Sequence, residues 1–464
     1  MDPAVAAAGR SVRDDPVPVR TRPATARHRR KALMDAIIAF SALLLLILCG
    51  LWVQFAVGAA ALGYLWLMKG FAGWKALGLV SWGAANSFTL AAIPLFILMA
   101  EILLGSGLSG RLYNGIAPFM RRLPGGLLHT NIMGSGIFAA VAGGSAPTAA
   151  AMSTVALPAL SARGYQKRII AGSLAAGGTL GILIPPSITM IIYATFTETS
   201  IAKLFAAGMV PGILLAVCYS LFIAARALAN PSLAPRDTTP LKLTDYLKAA
   251  LDVVPFMILI GFVLGSIYAG LATPTEAGAV GVVGAMVIAA SYRRLSLTLL
   301  RNAISRTLLM SGNVLFIVLI SMIFAYATAL SGVGEDLVSW VGEADMSPFV
   351  FLLLLMVTFA ILGCFMEGLG MIAIIVPIVF PVLLAMNIDP IWFGIFVVIL
   401  VELGQLTPPL GIILFVVASS DSNVKVEEVV MGVLPFFLII LAFLVLLIWY
   451  PDIALWLPSL TSGG

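Results

Sequence analysis

The sequence predicts an all-α polytopic membrane protein, an inverted repeat with two re-entrant hairpins and broken helices. Three observations carry this prediction. The chain has 464 residues, of which 61% are apolar and 10% charged, and its mean hydropathy is +1.10; soluble chains lie nearer half apolar and a quarter charged. Glycine- and proline-rich breaks interrupt the apolar runs at matching places in the two halves. The flanks of those matched breaks carry opposite charge.

Composition excludes several classes. A water-soluble enzyme, a disordered chain and a nucleic-acid-binding protein all need more polar sequence than this. At about 20 residues per crossing, the apolar content allows roughly ten transmembrane helices. The apolar runs are continuous rather than alternating, which argues against a β-barrel. The net charge of +5 belongs to the first 31 residues, which hold eight basic and three acidic side chains; the remainder holds 18 of each. A basic tail ahead of an apolar run reads as a cytoplasmic N-terminus anchored by the positive-inside rule. The length of that run, and the lack of a small-residue cleavage site, argue against a signal peptide. Cys49, Cys218 and Cys364 stand singly in apolar runs, and His28 and His129 are the only histidines. Neither a disulfide framework nor a histidine-based metal site follows. No nucleophile–base pair stands out, so no catalytic residue and no organic cofactor is expected.

The elements follow in order. The first apolar stretch spans 32–67 and breaks near Gly50. The next, 88–104, carries Pro94 and Glu101; Glu101 reads as the partner of a basic loop residue. A polar stretch with Arg111, Arg121 and Arg122 precedes a small, apolar run over 125–160 that contains Gly143, Gly144, Ser145 and Pro147. After a basic loop at 162–168, the run 169–194 is interrupted between Gly177 and Ser187. A span over 204–225 and a polar connector over 230–245 close the first half. Spans over 253–268 and 278–292 follow; Glu276, in Thr273-Pro-Thr-Glu276, starts the second as an N-terminal acid. After 308–330, residues 331–347 read as an acidic loop. The run 349–386 breaks at Met366-Glu-Gly-Leu-Gly370, and 391–418 breaks between Gly404 and Gly411. The last span is 433–449.

The halves superimpose. Gly181-Ile-Leu-Ile-Pro-Pro186 falls on Gly404-Gln-Leu-Thr-Pro-Pro409 at an offset of 223, which also places Pro158 on Pro381 and Ser145 on Gly368. Ser106-Gly107 falls on Ser331-Gly332 at 225. Several matches near one offset indicate an internal duplication. Arg111, Arg121, Arg122, Arg163, Lys167 and Arg168 flank the first glycine break; Glu335, Asp336, Glu343, Asp345 and Asp389 flank the second. Positive flanks favour the cytoplasm, so the repeat units face opposite sides. Both flanks of each glycine break share a side, which a re-entrant hairpin fits, as would two thin full crossings; the short arms after Ser145 favour the hairpin. Inverted repeats with helices broken at the midplane are typical of secondary transporters.

Freed backbone groups are tolerated at membrane depth only inside protein or along a cavity. There, carbonyls at a helix C-terminal end suit Na⁺, and amides at an N-terminal end suit a carboxylate. Ser145, Thr148, Thr179, Ser187 and Thr407 sit in or beside the breaks and supply neutral oxygen ligands. Taken singly, each break reads more readily as a proline kink whose hydroxyls bond their own helix, since Gly and Pro are common in membrane helices. Four breaks paired by a repeat favour a site. Glu367 and Glu402 are ionisable groups at membrane depth, hence functional candidates; a carboxyl paired or protonated near an interface is the alternative. Trp52, Trp66, Trp82, Trp449 and Trp456 read as interfacial aromatics.

Ala91-Ala-Ile-Pro-Leu-Phe-Ile-Leu-Met99, Gly143-Gly-Ser-Ala-Pro-Thr148, Gly164-Tyr165, Leu180-Gly-Ile-Leu-Ile-Pro-Pro-Ser187, Lys203-Leu-Phe-Ala-Ala-Gly-Met-Val-Pro-Gly212, Thr273-Pro-Thr-Glu-Ala277, Ile388-Asp-Pro390, Phe393-Gly394 and Leu406-Thr-Pro-Pro-Leu-Gly411 resemble the large membrane subunit of TRAP (tripartite ATP-independent periplasmic) transporters, the DctM-like family. The resemblance covers about 33–450. It implies a Na⁺-coupled organic-acid importer of the bacterial inner membrane, served by a periplasmic substrate-binding protein and completed by a small four-helix membrane subunit. It also implies an elevator, in which a transport domain slides against a scaffold. The organisation is then a basic tail (1–31), scaffold and arm helices (32–124), a first hairpin and broken helix (125–212), scaffold helices and connector (213–347), a second hairpin and broken helix (348–418), and a C-terminal scaffold helix and tail (419–464).

The resemblance places one sodium site at Gly143, Gly144, Ser145, Gly178 and Pro185, and another at Gly368, Gly370, Gly404 and Thr407. Candidate substrate contacts are Thr148, Ser187, Glu367 and Glu402. Many relatives have Asp where Glu367 stands and Asn where Leu400 and Ile413 stand, and Glu402 is shared by only part of the family. A C4-dicarboxylate substrate therefore does not follow from the resemblance. A proton-coupled, stand-alone carboxylate carrier using Glu367 or Glu402 is the alternative; an intramembrane enzyme and a channel lack supporting features.

Overall fold

The structure is a computed structural model that describes residues 38, 40–75, 77–235 and 240–461. The basic tail over 1–31 lies outside the described residues. All regular structure among the described residues is helical. A helix over 40–48 (α1) is followed by α2 (Val53–Lys69), α3 (Phe71–Trp74), α4 (Leu77–Ala85), α5 (Ala92–Gly105), α6 (Leu108–Met120), α7 (Leu127–Ala142), α8 (Ser145–Ser161), α9 (Lys167–Leu183), α10 (Ile188–Thr197) and α11 (Ile201–Ala229). The second half holds α12 (Leu243–Tyr268), α13 (Pro274–Ser291), α14 (Leu297–Ser331), α15 (Val333–Glu343), α16 (Pro348–Gly363), α17 (Gly368–Ala385), α18 (Pro390–Leu406), α19 (Ile412–Ser419), α20 (Val426–Trp449) and α21 (Asp452–Thr461).

Seven helices are long and apolar enough to cross a membrane, or eight if α9 and α10, bent by 41°, count as one span. Composition allowed roughly ten. The difference arises because much of the apolar sequence is cut into shorter helices such as Pro348–Gly363 and Pro390–Leu406. The chain is a polytopic membrane protein.

The duplication is visible element by element. Helices α6–α11 recur in order as α15–α20, with starting residues offset by 221 to 225 positions. Matching residues end the central pair. Helix α9 stops at Ile184 (φ −84, ψ 120) and α18 at Thr407 (φ −69, ψ 120). Each precedes a proline, which forces its predecessor out of the helical region and lacks the next N–H donor. In both breaks the Pro–Pro peptide is cis: Pro185–Pro186 and Pro408–Pro409.

Local chemistry starts the helices. Asp389 accepts the N–H groups of Ile391 (2.7 Å) and Trp392 (3.0 Å), and Pro390 occupies the first helical position, where no donor is needed. Thr273 and Glu276 form a reciprocal capping box at α13. The residues 331–347 are not a loop, as their acidity implied. They form α15, with Glu335 and Asp336 in its first turn. Acidic side chains there complement the partial positive charge of the helix N-terminus. The connector over 230–245 is also shorter than expected, since α12 begins at Leu243.

Helices α9 and α18 form the middle of the molecule. Every residue from Ile169 to Leu183 and from Trp392 to Leu406 is buried, the signature of a helix surrounded by others. Glycines let backbones touch. A Cβ at Gly172 would overlap the Gly432 carbonyl, and one at Gly432 would overlap the Arg168 carbonyl. This crossing of α9 with α20 joins the two repeats through small residues, the usual device where lipid supplies no hydrophobic drive between helices. The crossing is reinforced by Lys167, whose Nζ donates to the Asn423 carbonyl at 2.9 Å. Helices α12, α13 and α14 lie outermost: only 28%, 33% and 33% of their apolar windows are buried, against 61% for α17. The five tryptophans read as interfacial, Trp52, Trp66, Trp82, Trp449 and Trp456, are all exposed.

Candidate functional site

The two helix pairs α7/α8 and α16/α17 turn within a few residues. At the first turn Gly143 adopts φ +62, which favours glycine, and Gly144 is extended. The Gly143 carbonyl accepts the Ile188 amide at 3.3 Å, tying the turn to the start of α10. A Cβ on Gly181 would stand 2.5 Å from the Gly144 carbonyl, so the turn rests directly on the α9 backbone. The second pair repeats this design. Gly363 and Gly404 touch backbone to backbone, and a Cβ at Gly368 would overlap Val401 and Gln405.

Between these turns, the helix breaks, α5 and α14 lies a cavity of about 190 Å³. Gly143, Gly144, Ser145, Pro147, Glu367, Leu369 and Gln405 line it, together with Ile188, Thr189 and Ile412 at the starts of α10 and α19. Both repeats contribute equivalent parts. The walls are mainly apolar, with few polar groups, as expected of a small-molecule site.

Ser145 and Glu402 make the site's cross-repeat bond. Ser145 Oγ donates to Glu402 Oε1 at 2.6 Å. Glu402 is fully buried, the peptide group of Ile182 lies against its carboxyl, and Oε2 makes no bond of acceptable geometry. Nearby, the Tyr219 and Thr179 hydroxyls lie 3.3 Å apart, and both residues are buried. Thr179 is the residue matching Glu402 at the offset of 223. The two central helices thus present a hydroxyl and a carboxyl at equivalent positions.

The other sequence candidates separate. Gly143, Gly144, Ser145 and Glu367 line the cavity; Thr148, Gly178, Pro185, Ser187, Gly368, Gly370, Glu402, Gly404 and Thr407 do not. Thr148 Oγ1 donates to the Gly144 carbonyl at 2.8 Å, and Thr407 Oγ1 to the Leu403 carbonyl at 2.7 Å. Ser187 caps α10 by accepting the Met190 amide at 3.3 Å. These three hydroxyls bond their own helices. Gly178 packs on Ala149, and Gly370 on Val53. Leu400 and Ile413 are fully buried and do not reach the cavity. Glu101 is paired with Arg306 at 3.8 Å; its partner sits on helix α14 rather than in a basic loop, because α14 begins eleven residues before the apolar span read from the sequence. Sequence reasoning missed Gln405 and Thr189. A polar residue inside an apolar helix beside a proline break was the available signal in both.

Residues 40–453 match the family described as Tripartite ATP-independent periplasmic transporter, DctM component. The chain belongs to this DctM family. The C4-dicarboxylate TRAP transporter large permease protein DctM of Pseudomonas aeruginosa is 36% identical over 392 residues, covering 83% of this chain and 90% of that protein. The protein of the same description from Rhodobacter capsulatus is 34% identical over 444 residues, covering 92% and 99%. Among solved structures, the Alcanivorax borkumensis YdaH transporter aligns with a TM-score of 0.60 at 17% identity, over 82% of this chain and 89% of that one. That likeness concerns the fold alone. These DctM relatives are transporter permeases, not enzymes.

Proposed function

We propose that the chain is the large permease subunit of a secondary transporter in a bacterial inner membrane, importing an organic carboxylate with Na⁺. The cavity held between the tips of both repeats supports this reading. A site shared by two equivalent halves opens to either side when one body moves against the other. In this reading the mobile body holds α7–α10 and α16–α19, and α12–α14 belong to the scaffold, which gives an elevator. The family is tripartite by description, so a small membrane subunit and a periplasmic substrate-binding protein complete the system.

Na⁺ and the carboxylate both travel as substrates. Gly143, Gly144 and Ser145 are the favoured ligands of one Na⁺, because they reach the cavity and offer hard, neutral oxygens. Gly178 and Pro185 support that turn from behind. The second Na⁺ is placed at the opposite turn, near Gly368, Gly370, Gly404 and Thr407. The carboxylate lies between them, facing Glu367 across a cation.

Reconstitution in vesicles with the small subunit and binding protein tests the reading. Labelled succinate and other organic acids should accumulate under an inward Na⁺ gradient. Equal accumulation under a K⁺ gradient removes Na⁺ coupling. Accumulation driven instead by a proton gradient, and lost in Glu402→Gln, favours the second reading, to which the single satisfied oxygen of Glu402 lends support.

A further inference from the structure

A second cavity of about 350 Å³ adjoins the first, between the end of α5 and the start of α14. Its walls are mainly polar and include Glu101, Arg294, Thr298, Asn302 and Arg306. Two guanidinium groups against one carboxylate leave it net positive. The cavities share one wall. Glu101 lines both. On α14, Thr298, Asn302 and Arg306 line the second cavity, and Met310 and Val314 line the first. These residues recur every four positions, so they follow one inclined ridge that winds around the helix from the second cavity to the first.

Arg306 is loosely held. Its Nη1 stands 3.8 Å from Glu101 Oε2, and the two side chains are 67% and 9% exposed. A charge-assisted hydrogen bond is about 2.7–2.9 Å long, so the guanidinium retains donors for another partner. Glu101, by contrast, is nearly buried and needs a cation nearby, since an unpaired buried carboxylate is costly. The planar fork of Arg306 fits a carboxylate in bidentate fashion.

We propose that Arg306 and Arg294 form a second anion site at the mouth of the central cavity, taking a carboxylate group in transit, with Glu101 holding Arg306 when the site is empty. The proposal rests on the reading of the chain as a carboxylate permease. A passing carboxylate takes the donors on Arg306 that Glu101 leaves free, so the ion pair works as a charge-selective gate.

The test is charge selectivity at a cysteine, which needs no transport. Thr298→Cys is introduced into the full chain with Cys49, Cys218 and Cys364 replaced by Ala. Labelling rates are compared for an anionic sulfonatoethyl and a cationic trimethylammonioethyl methanethiosulfonate, with Ser459→Cys as an exposed reference. Relative to that reference, the anionic reagent should be favoured by about fivefold. Arg306→Gln with Arg294→Gln should abolish the preference, Arg306→Lys should keep most of it, and Glu101→Gln should raise it. Succinate should slow anionic labelling in Thr298→Cys and not after Arg306→Gln. No anionic preference, or one unmoved by Arg306→Gln, overturns the site. Carboxylate uptake without that preference leaves the permease reading standing and removes the gate. A preference without carboxylate uptake keeps the anion site and removes the permease reading.

Discussion

Ser145 and Glu402 stand 257 positions apart in the chain and share a hydrogen bond of 2.6 Å in the buried interior. One belongs to the turn of the first repeat, the other to the central helix of the second. Ser145→Ala leaves the carboxyl without its donor, and a buried unsatisfied group costs about 1–3 kcal/mol. Glu402→Gln keeps a carbonyl acceptor and should cost less. Thermal unfolding in detergent of both single variants and the double variant should show coupling, with the double variant less destabilised than the sum. Strict additivity removes the bond from the stability argument.

Glycine spacing gives a graded prediction. Gly181→Ala places a methyl 2.5 Å from the Gly144 carbonyl, whereas Gly110→Ala places one at an ordinary 3.8 Å from Val155. Overpacking costs about 1–3 kcal/mol, so Gly181→Ala should lower the unfolding temperature and uptake, and Gly110→Ala should leave both near wild type. Equal behaviour of the two contradicts the backbone contact.

Preferential Na⁺ binding should raise stability in NaCl over KCl at fixed ionic strength. The gain is about 2.7 kcal/mol at a hundredfold excess over Kd. It should shrink in Ser145→Ala, whose hydroxyl is at the turn. An undiminished gain places Na⁺ elsewhere.

Glu367 lines the cavity, and Thr148 spends its hydroxyl on Gly144. Glu367→Gln should therefore raise the Na⁺ concentration for half-maximal uptake by about tenfold, the loss of one charged contact. Thr148→Val should leave that concentration unchanged and lower thermal stability instead. The reverse pattern exchanges their roles.

The breaks were legible because proline acts locally: Ile184 and Thr407 end their helices through the residue that follows each. Glu276 was legible as the acid that opens α13, again through local sequence, whereas the cap at Asp389 was not read from it. Residues Val333–Glu343 were not, since acidity alone does not separate a loop from a helix whose first turn is acidic. Of the candidate site residues, four reach the central cavity. Position beside a break does not say which way a hydroxyl turns, and Thr148, Ser187 and Thr407 turn to their own helices. The pairs Ser145–Glu402 and Glu101–Arg306 were invisible because tertiary packing, not spacing, brings them together.

The 35-residue helix Leu297–Ser331 has a consequence for the surrounding lipid. At 1.5 Å per residue it is about 52 Å long, and the hydrocarbon layer is about 30 Å thick. Some 20 Å must be absorbed by tilt or stand among the headgroups. Its first turns carry Arg301 and Arg306, which favour the headgroup layer over hydrocarbon. Bilayer thickness thereby acts on the same helix that lines both cavities, and acyl-chain length becomes a variable of permeation as well as of solubilisation.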